Sequence, residues 1–122
     1  MNKSFFFLRL PIAISLLGHG LVRLPKLAEF SSGMVQSMEK SILPSTLVAG
    51  WGYILPFIEA TLGFGLLLGF KTKETLFASL VLMSILVLGS SSIENWDAIE
   101  SQLVHSVYLG FLVWYMEKNG LK

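Results

Sequence analysis

The chain has no cysteine and little charge. Without a thiol it forms no disulfide, no thiolate nucleophile, no iron–sulfur ligand set and no zinc–thiolate site. The lack says nothing about compartment, because a cysteine-free chain tolerates either redox environment. Asp, Glu, Lys and Arg make up only 14% of its 122 residues, and the net charge is +1. A soluble domain carries about 25% charge, so polar surface is too scarce here to cover a water-soluble particle. No basic stripe exists to neutralise phosphates, which excludes nucleic acid as a partner. Also missing are a glycine-rich phosphate loop, a G-x-G-x-x-G motif, a nucleophile elbow and an HExxH pair. No catalytic residue and no metal site is therefore expected. Ser90-Ser91-Ser92 reads as a helix end with hydroxyls bonded to backbone, rather than as a nucleophile.

What the chain has in quantity is hydrocarbon. Residues of the AVILMFWYC set make up 53% of it, and its mean hydropathy is +0.68. Four apolar stretches, at about 5–24, 47–69, 75–93 and 99–116, approach the roughly 17–25 residues that a membrane helix needs. The fourth is short and carries Ser101, Gln102 and His105. Pro11 and Pro56 fall inside spans, where neighbouring helices compensate for the lost backbone bonds. A secretory signal peptide is the rival reading of the first span, but Arg9 interrupts its apolar run and the chain beyond stays membrane-like. The expected fold is all-α: one domain over 1–122, an integral membrane four-helix bundle.

An even number of spans puts both termini on one side, with Lys3, Arg9, Lys71, Lys73, Lys118 and Lys122. The other side holds Arg23, Lys26 and Lys40 with Glu29, Glu39, Glu94, Asp97 and Glu100. The positive-inside bias then places the termini in the cytoplasm. Trp51, Trp96, Trp114 and Tyr115 lie near span ends, as interfacial aromatics do. Between the first two spans, Leu27, Phe30, Met34, Met38 and Ile42 recur at helical spacing. This predicts a short amphipathic helix at the outer interface, set over the mouth of the bundle or packed against the span ends. The short remaining connections make consecutive spans antiparallel neighbours. Gly52, Pro56, Glu59 and Gly63 form a stripe on the second span, and Gly65 to Gly69 is a GxxxG, both suited to close helix approach.

Ionisable residues inside a span are costly unless paired or wetted, and Arg9, His19, Glu59 and His105 are such residues. At about 1.5 Å per residue, Glu59 lies about 18 Å below the outer end of its span and the histidines about 7–9 Å below it. Arg9 falls roughly 9 Å deeper than Glu59. Arg9, Ile12, Leu16, His19 and Arg23 share one face of the first helix, while Ser101, His105 and Tyr108 form a stripe on the fourth beside Gln102. Turned inward, these faces make a polar column of Glu59, Arg9, His19, His105, Tyr108 and Gln102 that binds a ligand or relays a proton. Glu59 has two readings: an ion pair with Arg9 that sets helix register, or a carboxylate lining a cavity. Arg23, at a span end, is expected to snorkel. The histidines suit hydrogen bonds to backbone, Ser15 or Gln102. They also match a pair of axial haem ligands, although no other haem signal is present. Zinc needs a third ligand at their level, and Glu59 is about 9 Å too deep.

These residues give the chain a resemblance to the DoxX family of small four-span bacterial membrane proteins. It rests on Arg9, on GHGLVRLPKL (18–27) closing the first span, and on IEATLGFGLLLGF (58–70) in the second. Order and spacing agree over nearly the whole length. The resemblance implies a multi-pass protein of the bacterial cytoplasmic (inner) membrane, linked to quinone-dependent redox chemistry. The family is named for a small subunit of a thiosulfate:quinone oxidoreductase, and other members associate with oxidative-stress complexes. Arg9 and Glu59 match the family pattern; His19 and His105 are not assigned to it. The lack of cysteine speaks against electron transfer by the chain itself. No intrinsic cofactor is expected, and the lipid bilayer is the first partner. Three functions stay open. One is an accessory subunit of an oxidoreductase that binds a quinone or another small amphipathic molecule. Another is a small-solute or proton-coupled transporter, which with four spans would act as a homo-oligomer. The third is a structural or assembly protein clamped by Arg9 and Glu59.

Overall fold

In the computed structural model, which describes residues 3–121, regular structure is entirely helical. The order is α1 (Lys3–Arg23), a 3-10 turn (Leu24–Lys26), α2 (Leu27–Ser37), α3 (Ser45–Leu68), α4 (Thr72–Ser92) and α5 (Trp96–Lys118). Lys122, counted above among the cytoplasmic cations, lies outside the described residues. The four long helices coincide with the four apolar stretches, each beginning two or three residues earlier. α5 starts early because Asn95 caps it, its side chain accepting the Ala98 N–H at 3.2 Å. Three stretches, Lys3–Ser37, Ser45–Leu68 and Thr72–Ser92, are long and apolar enough to cross a membrane. α5 matches them in length with 23 residues. It is less apolar because its first half carries Asp97, Glu100, Ser101, Gln102 and His105.

The long helices form a ring in the order α1, α3, α4, α5, each antiparallel to its neighbours. Both termini lie at one end, called here the near end; the opposite end is the far end. Packing around the ring is uneven. α1 lies broadly on α3 and α4 on α5, whereas the α3/α4 and α1/α5 seams are thin. Leu16, Leu66, Leu76, Leu109, Leu112 and Met116 fill the core without exposure.

Two glycines set the α1/α3 contact. A Cβ on Gly20 would lie 2.5 Å from Pro56 O and Ala60 N, and one on Gly63 would lie 2.7 Å from Leu17 Cα and 2.9 Å from Ala13 O. No side chain fits there. The GxxxG anticipated as a packing motif works differently. Gly69 has φ +77° and ends α3, with its N–H and that of Phe70 both bonded to Gly65 O at 2.9 and 3.0 Å. That left-handed position favours glycine and marks a helix stop.

α2 packs against the first turns of α3. Ser31 Oγ donates to Ala49 O at 2.8 Å, and a Cβ on Gly52 would stand 2.8 Å from Ser31 Cα. α1 therefore flanks the later part of α3 and α2 the earlier part. The far ends of α1 and α3 are not level, which changes every depth counted from them.

Candidate functional site

Gly20 seats α1 against Pro56 and Ala60, so Arg23, one turn further on, arrives beside Glu59. Side chains on a helix lean toward its N-terminus. α1 and α3 run in opposite directions, so Arg23 leans toward the near end and Glu59 toward the far end, and the two meet. Arg23 Nη1 donates to Glu59 Oε1 at 2.8 Å, with side-chain exposures of 29% and 6%. The Arg23 guanidinium also lies 4.4 Å from the centroid of the Phe30 ring. Glu59 thus pairs with Arg23 and not with Arg9, and Arg23 turns inward instead of snorkelling. Glu59 Oε2 receives no hydrogen bond from the described residues.

Arg9 leans the other way, toward the near end. Its Nε donates to Leu66 O at 2.7 Å, and its guanidinium carbon lies 5.4 and 5.1 Å from the ring centroids of Phe5 and Phe6. Leu66 O belongs to the last turn of α3, whose carbonyls lack intrahelical partners. A cation there also complements the negative end of the helix dipole. Arg9 is a tertiary cap on α3 and stands outside the column in which the sequence placed it. Arg9→Met is expected to lower stability by about 1–3 kcal/mol, the cost of stranding a buried carbonyl and losing a charged donor. Thermal unfolding in detergent would show it, and Arg9→Lys, which has no Nε at that position, should recover little.

The histidines meet where α1 faces α5. Their ring centroids are 5.9 Å apart at an interplanar angle of 81°, so the rings touch edge to face. His19 Nδ1 bonds to Ser15 O at 2.6 Å and His105 Nδ1 to Ser101 O at 2.9 Å. A carbonyl only accepts, so each Nδ1 carries a proton, and in the neutral ring Nε2 is an acceptor. Ser15 Oγ, 2.9 Å from His105 Nε2, is then the donor that ties α1 to α5. Tyr108 makes a second tie, its hydroxyl donating to Leu8 O at 2.6 Å. Gln102 Nε2 reaches Ser90 Oγ at 3.0 Å and joins α5 to α4, while its Oε1 is buried without a partner among the described residues. Turning the amide round would leave Nε2 unmatched instead.

Arg23, Glu59, His19, His105 and Gln102 all line one cavity of about 1030 Å³ in the far half of the bundle. Its other walls are largely apolar, with Leu16, Phe30, Trp51, Leu55 and Met83 among them. Of the six residues that the sequence nominates, Glu59, His19, His105 and Gln102 come together here. Arg9 and Tyr108 do not; they are a cap and a strut. Arg23 is the residue the sequence reading missed, and the lean of side chains toward the helix N-terminus was the signal for it. Among the described residues no group of three His, Asp or Glu is placed to hold a metal ion. No family model, no curated protein and no solved structure matches the chain.

Proposed function

We propose that the chain is a four-span integral membrane protein of DoxX-like type, with both termini in the cytoplasm, whose cavity binds a small amphipathic molecule. In this reading it serves quinone-linked redox metabolism as an accessory, ligand-holding subunit. The observation that carries the binding role is an ion pair and two histidines gathered on one cavity with apolar walls. At about 1030 Å³ the cavity matches the upper end of small-molecule pockets, which run to about 1,000 Å³. The 23 residues of α5 extend about 34 Å, enough for a hydrocarbon layer of about 30 Å. Lys3, Lys71, Lys73 and Lys118 at the near end, against Lys26 and Lys40 at the far end, support the orientation. The residues suit a quinone head: Arg23 has N–H groups beyond the one given to Glu59, and Glu59 Oε2 accepts a hydroxyl of the reduced form. The bound quinone would supply the redox chemistry, and the chain would supply position, charge and shelter from water.

Purification from native membranes in mild detergent, followed by mass spectrometry of extracted small molecules, tests this. The wild type should retain an amphipathic molecule other than bulk lipid. Glu59→Gln should lose it about tenfold, as expected for about 1.4 kcal/mol of binding energy. A wild type that carries only bulk lipid, or a variant that retains its ligand in full, would sink the binding role. A second reading, that the same pair clamps α1 to α3, is favoured by its position one turn from the Gly20 contact.

A further inference from the structure

The walls of the cavity are closed to different degrees. α1 and α3 meet through Gly20, Gly63 and the Arg23–Glu59 pair. α1 and α5 are joined by Ser15–His105 and Tyr108–Leu8, and α4 and α5 by Gln102–Ser90. The α3/α4 seam differs. Beyond the turn that links them, no side-chain hydrogen bond or ion pair joins these two helices among the described residues, and their packing is thin.

At the far half of that seam, several residues line the cavity and also face outward. On one side are Ile42, 99% exposed, and Leu47 at 59%; on the other are Ile85 at 46% and Leu88 at 73%. A side chain that does both is part of a rim. All four are aliphatic, and this stretch of the rim suits hydrocarbon rather than water, in contrast to the polar stretch at the far end. Above it, Met38 extends across from α2, its methyl 3.9 Å from where a Cβ on Gly89 would stand. Met38 thereby reaches α4 over part of the cavity's far end, where the exposed Ser37, Ser92 and Asn95 also line it, while the side between α3 and α4 is the aliphatic part of the opening.

The chemistry at the inner end restricts the ligand. Glu59 Oε2 has no donor among the described residues and Glu59 lines the cavity, so it can accept an O–H or N–H there. Arg23 already cancels the carboxylate charge, so a cationic head gains no net attraction and would bear the full cost of desolvation. A neutral hydroxyl meets both conditions. We propose that the cavity opens sideways into the bilayer between α3 and α4, and that it admits a lipid-dissolved molecule with an aliphatic body and a neutral hydroxyl head that donates to Glu59 Oε2. This rests on the binding role proposed above and adds the route and the head group.

The test uses the full chain in phospholipid vesicles with two photoreactive probes: hexadecanol carrying a diazirine in mid-chain, and its methyl ether. Irradiation should attach the alcohol to peptides containing Leu55 or Met83 several-fold more than the ether. The rim variant L47W/L88W should cut that labelling several-fold while leaving the lipid-facing segments around Phe57 and Val104 labelled as before. Because the chain lacks cysteine, L47C/L88C joined by a reducible bifunctional reagent gives an independent block, and reduction should restore labelling. Cavity labelling unchanged by both blocks would overturn the lateral route and leave binding standing. Equal labelling by alcohol and ether would overturn the hydroxyl assignment. No cavity labelling by either probe would overturn the binding role itself. The doubly replaced Arg23→Met/Glu59→Leu chain should take up both probes equally, which separates head-group recognition from mere space.

Discussion

Arg23→Met should lower stability by about 3 kcal/mol, toward the lower end for breaking a buried ion pair because Arg23 is partly exposed. Glu59→Leu should cost markedly less. The asymmetry follows from burial. Without Arg23 the carboxylate stays where it is, with 6% of its side chain exposed, whereas an arginine at 29% can swing outward and keep its stacking on Phe30. The double replacement Arg23→Met/Glu59→Leu should therefore recover most of the loss, since a matched apolar pair leaves no stranded charge. Arg9→Met combined with Glu59→Leu should show simple addition, because Arg9 bonds Leu66 O and not the carboxylate. Unfolding of the three single and two double variants in detergent gives both coupling energies. Coupling between Arg9 and Glu59, or none between Arg23 and Glu59, would contradict the pairing described here.

The second large effect lies one turn away. Gly63→Ala should destabilise by about 1–3 kcal/mol, and Gly63→Leu should prevent the α1/α3 pair from closing. The added Cβ would meet backbone atoms of Leu17 and Ala13, which cannot rotate aside as a side-chain tip does. Gly20→Ala meets Pro56 O and Ala60 N in the same way. Gly18 and Gly110 have nothing within 4 Å of the corresponding position, so alanine there should be neutral or add up to about 1 kcal/mol through helix propensity. Thermal unfolding of the four alanine variants separates the two classes, and equal effects at Gly18 and Gly63 would refute the close approach.

The helices were legible in the sequence because a long apolar run leaves few alternatives, and their antiparallel order follows from short connections. The residues at the cavity were legible for a related reason: a polar group in such a run has few places to go. What misled was the ruler. Depths measured from span ends assume that the ends are level, but α2 takes over from α1 along α3, and Arg23 comes down to Glu59. A count along each helix gives axial position only; the lean of the side chain decides which of two cations at unequal depth is the partner. The GxxxG was legible only in part: Gly69 leaves room for Arg9 of α1, whose Nη2 would be 2.9 Å from an added Cβ, but it also ends the helix. The pattern records small residues at helical spacing, and only the chain direction at Gly69 shows that the second glycine is a stop.

Met34, Met38 and Met83 all line the cavity. Unbranched thioethers have several rotamers of similar energy and refit around different shapes. A site walled in this way discriminates poorly among tails that differ in length or branching, and it reserves selectivity for the polar end. Under the proposed binding role the chain would suit a pool of related molecules rather than one, and analogues that differ only in the tail should compete on nearly equal terms. The same softness carries a vulnerability, since conversion of these sulfurs to sulfoxides would place oxygen against the ligand's tail and weaken retention without touching Glu59.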